Sequence, residues 1–218
     1  MRTPPLAPES PSTSDWRRQD LVRAAFEAIA AEGFEGLRTR SVAARAGVNI
    51  ATLHYYFPAK EALIGGVAQH LTAQFISLHG PKPAPSGSAA LDRLYQEFSD
   101  IRFYRANHPE LLTVMIELQL RARRDGAIAQ IIGPMLDHWR GSFADIVRTG
   151  IEEGVFRTGV DPIAAGLMLM AAFSGTEIHA ISDEGMENIF KEIERWLQAA
   201  SEKAAAAGKQ IQKAMRKT

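Results

Sequence analysis

Residues 38–60, reading RTRSVAARAGVNIATLHYYFPAK, constrain the fold of this chain more than any other stretch. They have the rhythm of two short helices joined by a tight turn. Thr39 offers a hydroxyl for the first N-cap, and Val42, Ala43 and Ala46 fall on one apolar face at helical spacing. Gly47 follows at once, where a left-handed residue ends a helix. Val48 plugs the angle between the helices, and Asn49 can cap a second helix over residues 50–57. Leu53 and Phe57, four apart, turn inward, which leaves Ala51, Thr52, His54, Tyr55 and Tyr56 outward or flanking. The segment carries Arg38, Arg40, Arg45 and Lys60 and no acidic residue. The whole chain balances 25 basic against 25 acidic residues, so any affinity for DNA must come from local charge. An acid-free basic helix pair in a neutral protein is a candidate nucleic-acid reader.

The residue types suit a groove. Ala51 and Thr52 are small enough for close approach to base edges, and Thr can bond a base or touch a thymine methyl. Tyrosine hydroxyls and Lys60 suit phosphate oxygens, which fix register without reading sequence. Pro58 stops the second helix, and Lys60 then lies near the next helix N-terminus, where a phosphate is doubly favoured. Short helix pairs with a glycine turn also occur in all-α proteins that never touch DNA, and pattern and charge alone leave that reading open.

The segment resembles the DNA-binding region of TetR-family transcriptional regulators. The resemblance rests on Thr39, on Ala46-Gly47-Val48, on Thr52-Leu53-His54-Tyr55-Tyr56-Phe57 and on Lys60-Glu61. Residues 16–33 match the family's first helix and Glu32-Gly33-Phe34 its usual end, so the likeness covers roughly residues 16–65. It implies DNA contacts at Thr39, Asn49, Ala51, Thr52, His54, Tyr55, Tyr56 and Lys60, to which the local charge adds Arg40. Ser41 stands where an acid is common, Ala51 replaces a frequent glycine, and Ala59 replaces a common polar cap. His54 replaces a frequent tyrosine, so base preference there cannot be carried over.

A chain of 218 residues can bury a proper core in one or two domains. With no Cys there is no disulfide frame, thiolate nucleophile or Cys-bound metal. The Pro- and Ser-rich start lacks the apolar run of a secretory signal, and residues 163–173 are too short to span a membrane. A soluble cytoplasmic protein is expected. Residues 1–14 read as a disordered arm, although Arg2 and Arg17-Arg18 could add phosphate contacts, and residues 202–218 as a flexible tail. Between them, residues 15–61 form the expected helix–turn–helix domain and residues 62–201 a larger helical domain for effector binding and dimerisation. The fold class is all-α throughout.

Helical periodicity continues after the breaker-rich loop at residues 80–88, with Pro134 marking a possible kink and Asp161-Pro162 a sharp helix start. Residues 163–181 are apolar nearly all round, and a stripe of Ile189, Phe190, Ile193, Trp196 and Leu197 follows. These elements are either an internal core pair or a subunit interface. The resemblance favours an interface, made by Leu167, Met170, Phe173, Ile189, Ile193, Trp196 and Leu197. The middle helices hold large, adaptable side chains, of which Phe98, Tyr104, Met115, Gln119, Trp139, Phe143 and Phe173 are candidates for a ligand pocket. Ordinary core is the alternative role for each.

Catalysis finds little support. There is no G-x-S-x-G, no glycine-rich phosphate loop and no H-E-x-x-H, and the His residues lack metal spacing. Glu152-Glu153 read as solvated turn residues. No cofactor and no metal are expected. The reading is a homodimeric regulator, a repressor released from a palindromic operator by a small, mostly apolar effector. Its rivals are an effector-independent dimeric DNA-binding protein and an α-helical enzyme.

Overall fold

The computed structural model describes residues 13–198, and these residues fold as helices with no sheet among them. The expected arm lies outside the described residues up to position 12, and the expected tail lies outside them entirely. The chain forms two compact units. Of the described residues, the first gathers 13–77 together with 109–134, and the second gathers 78–108 together with 135–198.

In the first unit, α1 (Thr13–Glu32) is the central support. It packs against α2 (Thr39–Arg45), α4 (Lys60–Ser77) and α6 (Pro109–Ala122), with a 3-10 turn over Phe34–Gly36 between α1 and α2. The recognition candidate α3 (Ile50–Tyr56) packs on α2. Leu21, Ala25 and Ile29 recur along one face of α1 and are sealed from water, as are Val67 and Leu71 of α4 and Val114 and Leu118 of α6. The boundary expected at residue 61 falls inside α4, whose apolar face packs on α1. Residues 62–77 and the α6 segment therefore share a core with the reading helices. Thr39 is not the cap of α2. Arg38 holds the extended N-cap conformation without a side-chain bond, and Thr39 is the first helical residue.

In the second unit, α5 (Ala89–Asn107), α8 (Pro162–Ile178) and α9 (Asp183–Leu197) join the later part of α7 (Gly126–Glu152). That helix runs on through Pro134, and its chain passes from the first unit to the second there. The core is aromatic. Phe98 and Phe190 stack with centroids 4.2 Å apart and planes 4° from parallel, and Phe173 meets Phe143 edge-on at 5.1 Å. Gly150 is required where it sits, because a Cβ there would lie 2.0 Å from the Phe156 ring. The expected Asp161-Pro162 start is present: Asp161 Oδ1 accepts from Ile163 N at 2.9 Å, with Pro162 in the first helical turn.

Glu153 is an exposed turn residue, as expected, and it also ties that turn to the start of α5. Its carboxylate accepts from Ser88 Oγ and from the amides of Ala89 at 3.1 Å and Ala90 at 3.3 Å. The Ser88 bond in particular holds its pKa below the usual value. A negative charge at the orphan N–H groups that open α5 is favourable. The 78–88 loop is fastened to α5 by Asp100, a buried carboxylate that accepts from Gly80 N and Gln96 Nε2, each at 2.7 Å.

Candidate nucleic-acid interface

The turn between α2 and α3 is set by backbone geometry. Gly47 adopts φ +65°, and the amides of Gly47 and Val48 return to the carbonyls of Ala44 and Ala43 at 3.1 and 2.9 Å. Asn49 then caps α3, its Oδ1 accepting from Thr52 N at 2.7 Å and from Thr52 Oγ1 at 2.9 Å. Both acceptor bonds use the amide oxygen. The Asn49 NH2 remains available to an acceptor outside the fold, and Thr52 keeps its oxygen lone pairs and its methyl.

Leu53 and Phe57 anchor α3 as the spacing predicts, at 3% and 1% exposure. Around them Arg40, Asn49, Ala51, His54 and Lys60 are exposed, Thr52 and Tyr56 are half-exposed, and Tyr55 stands 79% exposed. Thr39 is exposed as well. The nine DNA-contact candidates are thus gathered on α2, α3 and the first turn of α4, and none is committed to the core. Tyr55 and Tyr56 meet edge to face at 5.1 Å, which stiffens the end of the helix.

Three supporting residues come from elsewhere in the unit. Arg18 of α1 donates to the Tyr56 carbonyl at 3.2 Å and lies 4.4 Å from the Phe57 ring centroid, holding the end of α3. Phe34 lies under Lys60, whose Nζ is 4.9 Å from the ring centroid. Glu32 pairs with Arg45 at 3.0 Å, so part of the local positive charge is answered from outside the acid-free segment. Helical spacing shows neither the Arg18 contact, 38 positions away, nor the Glu32 pair, 13 away, because each joins different helices.

Residues 21–67 match the family model of bacterial regulatory proteins of the tetR family. The transcriptional repressor NicS of Pseudomonas putida is 26% identical over 183 residues, covering 78% of this chain and 80% of that repressor. The repressor KstR2 of Mycolicibacterium smegmatis is 22% identical over 156 residues, covering 72% of this chain and 75% of its own length. Among solved structures, a TetR-family regulator from Rhodococcus superposes with a TM-score of 0.68 at 22% identity, over 84% of this chain and 98% of that one. A regulator from Saccharomonospora viridis, solved in complex with choline, gives 0.59 at 20% identity, over 82% of this chain and 94% of its own.

The chain is similar to TetR-family regulators, through the matched N-terminal region and through its fold. It is a DNA-binding transcriptional regulator and not an enzyme. No described helix is long and apolar enough to cross a membrane.

The other candidates fall in different places. Of the seven ligand-pocket candidates, Met115 and Gln119 belong to the first unit and the other five to the second. Phe98, Phe143 and Phe173 touch one another or a common neighbour and fill the second core, while Tyr104 is buried with its hydroxyl donating to Leu78 O at 2.8 Å. Of the interface candidates, Phe173, Ile193 and Leu197 are buried within their own subunit at 2%, 8% and 0% exposure. They pack in the aromatic cluster, with Met170, Ile189 and Trp196 half-buried at its edge. Leu167 faces outward, as do Ile163, Met168 and Ile178. The 163, 167 and 178 positions recur along one side of α8.

Proposed function

We propose that this regulator is a repressor that acts as a homodimer, each α3 entering the major groove at one half-site of a palindromic operator. One observation carries the reading: α3 is held by Leu53 and Phe57 and turns Ala51, Thr52, His54 and Tyr55 away from the core. Thr52 and His54 meet base edges, Ala51 permits close approach, and Thr39, Arg40, Asn49, Tyr55, Tyr56 and Lys60 hold phosphates. Dimeric readers need half-sites about 34–36 Å apart or a multiple of it. The outward apolar side of α8, with Ile163, Leu167 and Met168, supports pairing of two chains.

A small, mostly apolar effector in the second unit releases the operator by favouring a dimer whose readers are wrongly spaced. The choline complex of the Saccharomonospora regulator supports a small-molecule site in a protein of this fold. The close stacking of Phe98 on Phe190 favours the rival in which the second unit only dimerises. Selection of genomic fragments by the full chain, with and without cell extract, tests both. One enriched palindrome whose recovery falls with extract is expected. Absence of any enriched sequence overturns operator reading, and recovery insensitive to extract favours the effector-free rival.

A further inference from the structure

A groove of about 500 Å³ opens on the second unit between α5, α9 and the 78–88 loop. We propose that it is a binding site for an amphipathic organic anion, an apolar body bearing one carboxylate. The proposal stands on the groove's own residues and does not depend on the effector reading above.

The volume lies in the range of small-molecule sites. Its walls are prearranged. The loop side carries Pro81 and Pro83, and the Pro81 carbonyl accepts from Ser99 Oγ at 2.7 Å. One residue earlier, Gly80 is fixed to Asp100 by its amide at 2.7 Å and to Gln96 by its carbonyl at 3.3 Å. A wall pinned by several hydrogen bonds loses little entropy when a ligand meets it. The floor is formed by Phe98 and Phe190, whose rings are already stacked, and Tyr95 adds an aromatic side. Prolines and aromatics offer apolar contact to a ring or a short alkyl chain.

Charge decides the sign of the ligand. The groove is lined by two acids, Glu187 and Glu194, and by three cations, Lys82, Lys191 and Arg102. Glu187 is ion-paired, and Glu194 is hydrogen-bonded but keeps its charge. Arg102 grips Glu187 through both oxygens, with Nη2 at 2.7 Å from Oε2, and lies 5.0 Å from the Phe190 ring centroid. Glu194 accepts from the Tyr95 hydroxyl at 2.6 Å and from Gln198 Nε2 at 3.2 Å. Burial and the bond to Glu194 push the Tyr95 phenol up to about 12, so it stays a donor. Lys82 and Lys191 are exposed and, among the described residues, form no ion pair within 4.0 Å. The charge of Lys191 acts on Glu187 and that of Lys82 on Asp92 without a close ion pair, so both ammonium groups keep hydrogen-bonding capacity, and their aliphatic stems extend the apolar surface of the groove. A carboxylate between them, with its apolar body over Tyr95 and the prolines, matches what the groove leaves unpaired.

The test uses three probes of one shape: 3-phenylpropanoate, its neutral amide, and 3-phenylpropylammonium. Each is titrated into the full-length protein by calorimetry at low salt. The carboxylate is expected to bind saturably and about tenfold more tightly than the amide, the scale of two exposed charge contacts. The double change Lys82→Gln with Lys191→Gln should erase that preference. The control Arg195→Gln, on the same helix but outside the groove, should keep it. Thermal melts matching the parent establish that the exposed lysine changes leave the fold intact. No saturable binding of the carboxylate, equal affinity for all three probes, tighter binding of the ammonium, or an unchanged preference in the double variant each overturns the proposal.

Discussion

α3 and α8 make a useful contrast, because both are partly exposed and both carry functional proposals. On α3 the inward positions are few and unmistakable, Leu53 and then Phe57 just past its end, and, apart from Ile50 at its first position, the side chains facing away are small, hydroxylic or imidazole. On α8 the inward set of Ala165, Leu169 and Phe173 is apolar, and so is the outward set of Ile163, Leu167, Met168 and Ile178. The difference lies in what each outward face can meet. A polar face with hydrogen-bonding reach suits the wet, charged surface of DNA. An apolar face is better covered by another apolar face, and in a homodimer by its own symmetry mate.

The largest effect separates the two sides of α8. Phe173→Glu puts a carboxylate against Phe143, Phe98 and Phe190, none of which can pair with it, and is expected to cost about 4 kcal/mol or more. The subunit should lose its cooperative thermal transition. Leu167→Glu acts on the other side, where the residue is 46% exposed. Here the helicity should remain while light scattering reports a shift from dimer to monomer, with operator binding lost in parallel. A parent protein that is monomeric at micromolar concentration, with and without operator, breaks the dimer reading. A Leu167→Glu protein that stays dimeric moves the interface elsewhere.

The same contrast explains what could be read from the sequence. The α2–α3 pair was legible because its signals are local: Gly47 supplies the positive φ, Asn49 caps within three residues, and Leu53 and Phe57 sit one turn apart. Burial of α8 and α9 was not legible. Where apolar residues surround a helix, periodicity cannot tell the subunit core from an interface, so Phe173, Ile193 and Leu197 read as interface although they pack at home. The contacts that link helices distant in sequence were hidden for a related reason. Arg18 under Phe57, Glu32 on Arg45 and Glu153 at the start of α5 depend on tertiary placement, which no spacing rule encodes.

On the α3 side the expected losses are smaller and specific. Thr52→Ala or His54→Ala should relax preference at particular operator positions, at about 1–3 kcal/mol for each good base contact removed. Thr52→Ala also removes the hydroxyl bond to Asn49 while the amide bond of the cap survives, so the melting temperature should change little. Fragment selection with each variant decides the matter. Identical enriched sequences with equal discrimination remove both residues from direct readout.

The two regions also differ in how they hold charge. The candidate contacts around α3 are solvated, whereas Glu97 of α5 sits half-buried, with Asp100 and Tyr104 near it and Arg93 and His79 partly offsetting them. Burial first, then the Asp100 charge, pushes its carboxyl from 4.5 up to about 7. A folded pKa above the unfolded one means that the folded state keeps its proton longer. Its stabilising contribution is present at low pH and is lost as pH rises across that window. Glu97→Gln should therefore flatten the pH dependence of the melting temperature between about 4.5 and 7 relative to the parent. Parallel curves for the two proteins would place the Glu97 carboxyl in an ordinary solvated environment.

The smallest effect expected is also the one that best separates holding DNA from reading it. Lys60 is exposed at the first turn of α4, with its ammonium near the Phe34 ring and next to the amides that open the helix. A phosphate at that place would gain from the ammonium and from the helix N-terminus together. Lys60→Ala removes one cation and leaves Thr52, His54 and the Asn49 cap untouched. Binding should weaken by a similar factor on every sequence, and the slope of log affinity against log salt should fall by about 0.9. The selected operator should not change. If the slope is unchanged, Lys60 makes no phosphate contact. If the slope falls and the preferred sequence changes as well, Lys60 positions α3 in addition to holding the backbone, through the ring of Phe34 beneath it.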